Sequence, residues 1–68
     1  MKDIYIERGY GCYLVCFRRH GEVSGVVLES SILAKTRTRG VAEKKQAKFR
    51  KYLVDGIPLK AEASVYKL

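Results

Sequence analysis

The chain has no tryptophan, one proline, one histidine and two cysteines. It also has no apolar run approaching the roughly 18 residues of a membrane-spanning helix. Each shortage removes a class. Without such a run no membrane span is expected. Met1 to Arg8 lacks the apolar stretch and small-residue cleavage site of a secretory leader. The expected location is therefore the compartment of synthesis, a cytoplasm. With His20 at a turn, a Ser/His/Asp or Cys/His arrangement would have to assemble around a loop tip. Ser24, Ser30, Ser31 and Ser64 show neither a nucleophile elbow nor a lysine-base spacing. Paired carboxylates and a phosphate-cradling glycine loop are missing too. No catalysis and no cofactor are expected.

Cys12 and Cys16 are the only thiols. Four residues apart on a strand, their Cα atoms would stand about 13 Å apart, beyond disulfide reach. The Cys-x3-Cys-x3-His spacing through His20 invites a zinc reading, but ligands at strand spacing diverge and a fourth is missing. Two free thiols, buried or half-buried, and no metal are the expectation.

What the chain does have is charge, sorted into one segment. Residues 35–51 hold Lys35, Arg37, Arg39, Lys44, Lys45, Lys48, Arg50 and Lys51 against Glu43 alone, a local balance equal to the whole formal charge of +7. The six remaining cations are cancelled by six acids. A positive field confined to one segment is the electrostatic footprint of a surface that meets phosphates. The plainer alternative is a solvated lysine-rich helix. With 68 residues, 47% hydrophobic and 31% charged, the chain reads as one small folded domain.

The periodicity places three strands before one helix. Lys2 to Glu7 alternates, with Ile4 and Ile6 on one face and Tyr5 and Glu7 on the other. Gly9-Tyr10-Gly11 reads as a turn. Cys12 to Arg19, rich in aromatic and branched residues, is the expected central strand. His20-Gly21 is a tight-hairpin candidate, with Glu22 to Glu29 returning as the third strand. This register sets Ile6 against Leu14, Ile4 against Cys16, Arg19 against Glu22, Arg18 against Val23, Val15 against Val26 and Tyr13 against Leu28. One face then holds Ile4, Ile6, Leu14, Cys16, Val23 and Val27; the other holds Tyr5, Tyr13, Val15, Phe17, Val26 and Leu28, with Glu7. A one-residue change in either loop exchanges the faces.

Ser30 to Arg39 reads two ways. Ile32-Leu33-Ala34 either extends the strand or makes a helical turn. Lys35-Thr36-Arg37-Thr38-Arg39, if extended, projects three cations to one side about 7 Å apart, close to phosphate spacing; otherwise it is a solvated linker. From Val41 to Asp55 the period is helical. Ala42, Gln46, Phe49 and Leu53 form one stripe, flanked by Val41 and Tyr52. Thr38 or Gly40 caps the start, and Gly56, Ile57 and Pro58 stop it. The expected fold is thus α+β, a three-stranded antiparallel sheet packed on one C-terminal α-helix (β-β-β-α). Residues 1–57 make up the domain, and residues 58–68 form a tail, either frayed or an added edge strand.

These features, from about Asp3 to Gly56, resemble the amino-terminal arm-binding domain of phage tyrosine integrases such as lambda integrase. More distantly they resemble the plant ethylene-response-factor DNA-binding domain. The matching elements are the Ile-Tyr-Ile strand, the Tyr/Gly turn, the Cys-Tyr-Leu-Val-Cys-Phe-Arg strand and a Gly-centred hairpin, then a third strand and a Lys/Arg-Thr segment leading into the helix. The resemblance implies a sheet that enters the major groove with the helix on its back. Contacts would come from strand residues beside Tyr13 and Phe17 and from Arg18 and Arg19. The longer strand-to-helix segment, the missing tryptophan and the lack of a following catalytic domain depart from that pattern. The last implies a free-standing module, such as a phage or mobile-element regulator. Lys44-Lys45-Gln46-Ala47-Lys48 is also similar to the run opening the last helix of double-stranded-RNA-binding domains, which have a further helix before the sheet.

The expected partner is duplex DNA, with duplex RNA or an acidic protein surface as alternatives. The expected contact residues are Tyr5, Tyr13, Phe17, Arg18 and Arg19 on the sheet and Lys35, Arg37, Arg39, Lys44, Lys45 and Lys48 in the basic segment. Arg19 would join Tyr5, Tyr13 and Phe17 on the face that the helix leaves uncovered, while Arg18 reaches a flanking phosphate or pairs with Glu22.

Overall fold

The computed structural model describes residues 2–21 and 26–66. Three antiparallel strands, β1 (Lys2–Gly9), β2 (Cys12–His20) and β3 (Val27–Thr36), form one sheet in that order, followed by α1 (Arg39–Asp55) and a short 3-10 turn (Ala63–Tyr66). This is the expected β-β-β-α architecture. None of the described helices is long and apolar enough to cross a membrane.

The register differs from the expected one by a residue. The β1–β2 turn consists of Tyr10 and Gly11 alone, because Gly9 stays in the ladder opposite Cys12. Only Gly11 takes a left-handed conformation, at φ +67°, which costs glycine little. Ile4 therefore pairs with Phe17, Tyr5 with Cys16 and Ile6 with Val15. The period of a strand is two, so this one-residue step exchanges the faces of β2 relative to β1. Ile4, Ile6, Tyr13, Val15 and Phe17 share the face under α1; Tyr5, Leu14, Cys16 and Arg18 share the other.

The third strand is also displaced. It does not follow a tight hairpin at His20-Gly21: Gly21 N donates to Val26 O at 3.0 Å, and β3 begins at Val27. Arg19 pairs with Glu29, Val15 with Ala34 and Tyr13 with Thr36, in place of the expected partners Val26 and Leu28 for Val15 and Tyr13. The expected pairings through Glu22 and Val23 lie outside the described residues. The shift has a packing cause. Val26, Val27 and Leu28 are about half exposed, whereas Leu33 and Ala34 are buried against α1. An irregularity between the Ile32 and Ala34 pairings inserts Leu33 as an extra residue, and such a bulge re-aims a side chain. Two consecutive residues can then both enter the core.

α1 follows its sequence pattern closely. Thr38, in an extended conformation, caps it by accepting from Val41 N at 3.3 Å. Ala42 and Phe49 are buried, and Tyr52 and Leu53 pack on the same core; Val41 stays exposed. The Phe49 and Tyr52 rings meet edge-on, centroids 6.0 Å apart. The helix ends at Gly56 (φ +73°), with Gly56 N donating to Leu53 O and Ile57 N to Tyr52 O at 2.9 Å. These are the paired hydrogen bonds of a Schellman stop. Gln46 Nε2 and Arg50 Nη2 both donate to Ile4 O, at 2.9 and 3.3 Å, which satisfies an edge-strand carbonyl of β1 that no fourth strand would meet.

The tail departs from both expectations. Leu59 packs against the core, Glu62 N donates to Leu33 O at 2.7 Å and Lys35 N donates to Ser64 Oγ at 3.2 Å. The chain thus laps over the outer edge of β3 and closes in a 3-10 turn rather than a strand.

Candidate nucleic-acid interface

The basic segment spans a strand end, a bend and a helix, and the structure separates its cations accordingly. The extended Lys35-Thr36-Arg37-Thr38-Arg39 ladder does not form. β3 ends at Thr36, which is buried and donates through Oγ1 to Thr38 O at 2.9 Å, and Arg39 already lies in α1. Capping by Thr38 wins over extension because it satisfies an otherwise orphan helix N–H. Lys35 is partly buried on the open-face side of β3, opposite Leu14, while Arg37 is exposed at the bend. Arg39 pairs with Glu43 one turn on, at 3.5 Å.

Along α1, Lys44, Lys48 and Lys51 follow at i, i+4 and i+7, so they rise on one flank over about 10 Å. Lys45 lies beside them, nearer the core. Lys45 and Lys48 each donate to a different oxygen of Glu62, Lys48 at 2.8 Å. These two hydrogen bonds hold the Glu62 carboxyl below its ordinary range. The bond to Glu62 in turn raises Lys48, whose ammonium also lies 5.1 Å from the Phe49 ring centroid. Among the described residues, Arg8, Lys35, Arg37, Lys44 and Lys51 make no ion pair with a carboxylate.

The sheet residues expected to act together are divided between faces. Tyr13 and Phe17 are on the covered face, Phe17 buried in the core and Tyr13 packed against it. Arg19 is on that side too, exposed and 3.5 Å from Glu29. Tyr5 and Arg18 are on the open face instead, so the arginine beside Tyr5 is Arg18 and not Arg19. The Arg18 guanidinium lies 4.4 Å from the Tyr5 ring centroid and 3.8 Å from Asp3, and its Nε is buried with no partner among the described residues. Burial, and then the neighbouring Cys16, push the Tyr5 hydroxyl up; burial likewise pushes up the Cys16 thiol. Both cysteines are free thiols, and among the described residues no three His, Cys, Asp or Glu side chains gather around a metal position.

The open sheet face therefore presents Tyr5 and Arg18 with Asp3 and Glu7, whereas the outer flank of α1 presents lysines. The two surfaces are on opposite sides of a domain whose shortest extent is 20 Å. A straight duplex laid on one does not touch the other.

Glu62 escaped the sequence reading. It is 17 and 14 residues from the lysines it joins, and no local spacing signals that pairing. Arg8 and Tyr10 at the β1–β2 turn escaped it as well, since they come beside Arg37 only when the sheet forms. Comparison with protein-family models, curated proteins and solved structures finds no match.

Proposed function

We propose that this protein is a small, non-catalytic nucleic-acid-binding module that holds duplex DNA by its phosphates along the outer flank of α1 and the β3–α1 bend. The observation that carries this reading is the set of cations without carboxylate partners, Arg37, Lys44 and Lys51, beside Lys45 and Lys48. Such an array gains by replacing counterions on a phosphate backbone. Asp3 and Glu7 on the open sheet face make that face the poorer phosphate surface. The module would thus use the opposite side of its fold from the groove-entering sheet that the integrase resemblance implies. A role as a phage or mobile-element regulator rests on that resemblance.

One observation favours a second reading. A carboxylate, Glu62, already sits between Lys45 and Lys48, which is the chemistry that an acidic protein surface would offer. Salt titration separates the two. Arg37, Lys44 and Lys51 together predict a log–log slope of about −3 for duplex DNA. A flat salt response, or no binding to duplex DNA at low salt, would promote the protein-docking reading. Parallel titrations with duplex RNA test shape recognition across the minor groove.

A further inference from the structure

Among the described residues Tyr10 is the most exposed large hydrophobic side chain, at 107% of its reference area. An aromatic ring held fully in water contributes nothing to packing, and here it sits on a two-residue turn between paired strand ends, so it is presented rather than buried. Three open hollows include this ring, and Arg37 lines two of them. The first of those two, about 450 Å³, is lined by Arg8, Tyr13 and Arg37 beside the turn itself. The second is lined by Lys35, Thr36, Arg37 and Ser64. No carboxylate lines either hollow. A hollow at the other end of the sheet differs in kind: Lys2 and Arg19 there are accompanied by Glu29. The Tyr10 end is thus an unpaired aromatic face ringed by Arg8, Lys35 and Arg37, adjoining the bend that leads to the lysine flank.

We propose that this end takes an unpaired nucleotide of a single strand. Its base would stack on Tyr10, and its flanking phosphates would lie against Arg8 and Arg37, with Lys35 on the far side. A base in an intact duplex hides both faces in the stack, so an intact duplex offers Tyr10 no ring to cover. A single strand, a frayed end or a bulge does. Stacking on an aromatic side chain tolerates any base, which suits a site with few directional polar groups. This inference rests on the nucleic-acid reading above and adds a second, single-strand subsite to it.

The test compares two end-labelled probes by fluorescence anisotropy at low salt. One is an oligothymidylate of about 12 nucleotides, within the range of small single-strand sites; the other is a duplex of equal length. Tyr10→Ala should weaken oligothymidylate binding about five- to a hundredfold, with duplex binding unchanged and Tyr10→Phe behaving as the parent. Since the chain has no tryptophan, Tyr10→Trp supplies a lone indole whose emission should be quenched by the oligothymidylate. Unchanged single-strand binding by Tyr10→Ala, or an equal loss for both probes, overturns the subsite while leaving the duplex reading intact. If the parent protein binds neither probe, both readings fall together.

Discussion

The two faces of the sheet begin from similar material and end differently. The face under α1 gathers Ile4, Val15, Phe17, Leu33 and Ala34 around Phe49, all nearly inaccessible. The open face has apolar side chains too, Leu14, Cys16 and Ile32, but only Cys16 is buried there, in contact with Tyr5, over whose ring Arg18 lies. One helix has one apolar stripe and can cover one face. The uncovered face is left with a cation–π contact, a loose ion pair and half-exposed aliphatics. Charge divides in a similar way: Arg8, Lys35, Arg37, Lys44 and Lys51, at the turn end and along the helix flank, have no carboxylate partner among the described residues, while Asp3 accompanies the arginine of the open face. Stability thus rests largely on the helix side of the molecule, where the proposed binding surface also lies.

The sharpest test of that division is Phe49→Ala. Removing a ring that is 2% exposed should cost about 3–5 kcal/mol, enough to unfold most of so small a domain, as read by urea denaturation and circular dichroism. A cost near 1 kcal/mol would mean that α1 does not hold the core. The next largest effect concerns charge. The double variant Lys44→Ala with Lys51→Ala should flatten the duplex-DNA salt slope by about 2, whereas Arg18→Ala on the opposite face should leave it unchanged. If Arg18→Ala flattens the slope and the lysine pair does not, the binding surface is the sheet.

Ile32→Ala probes the open face directly. Ile32 is 41% exposed, so its loss should cost about 1 kcal/mol, roughly half the value for full burial. A cost matching Phe49→Ala would reveal that something covers this face. The smallest effect is expected at Glu62. Its carboxyl is held below its ordinary value, so its contribution is present above about pH 4.5 and is lost as pH falls through the lowered folded value. Lys48 is raised, so its share persists up to its ordinary value of 10.5 and is lost only as pH climbs through the higher folded one. Glu62→Gln should therefore remove part of the acid sensitivity while costing no more than about 1 kcal/mol at neutral pH, as part-exposed ion pairs do. It should also release Lys45 and Lys48, steepening the salt slope by up to about 2 if both then reach phosphates.

Element type was legible wherever local chemistry acts alone. The helix shows itself through Ala42, Gln46, Phe49 and Leu53 at a period of 3.6, and Thr38 and Gly56 mark its ends. A cap and a stop depend on a few neighbouring residues and their own backbone angles, so sequence carries them. The same holds for the alternation of β1 and for the concentration of charge in residues 35–51. By itself, then, the sequence determined three strands followed by one helix, and a basic segment running into that helix.

Register, faces and partners were decided only in three dimensions. Whether Gly9 belongs to the turn or to the ladder changes local energy little, yet it reverses which side of the sheet Tyr13, Phe17, Arg18 and Arg19 occupy. Burial of Leu33 and Ala34 under α1 settled where β3 lies, and that gain involves residues far apart in the chain. The reach of Glu62 to Lys45 and Lys48, and the meeting of Arg8, Tyr10 and Arg37, depend likewise on the closed sheet and the returning tail. Periodicity records what one segment prefers; the choice among nearly equal pairings belongs to the core, because only there does the hydrophobic gain differ between them.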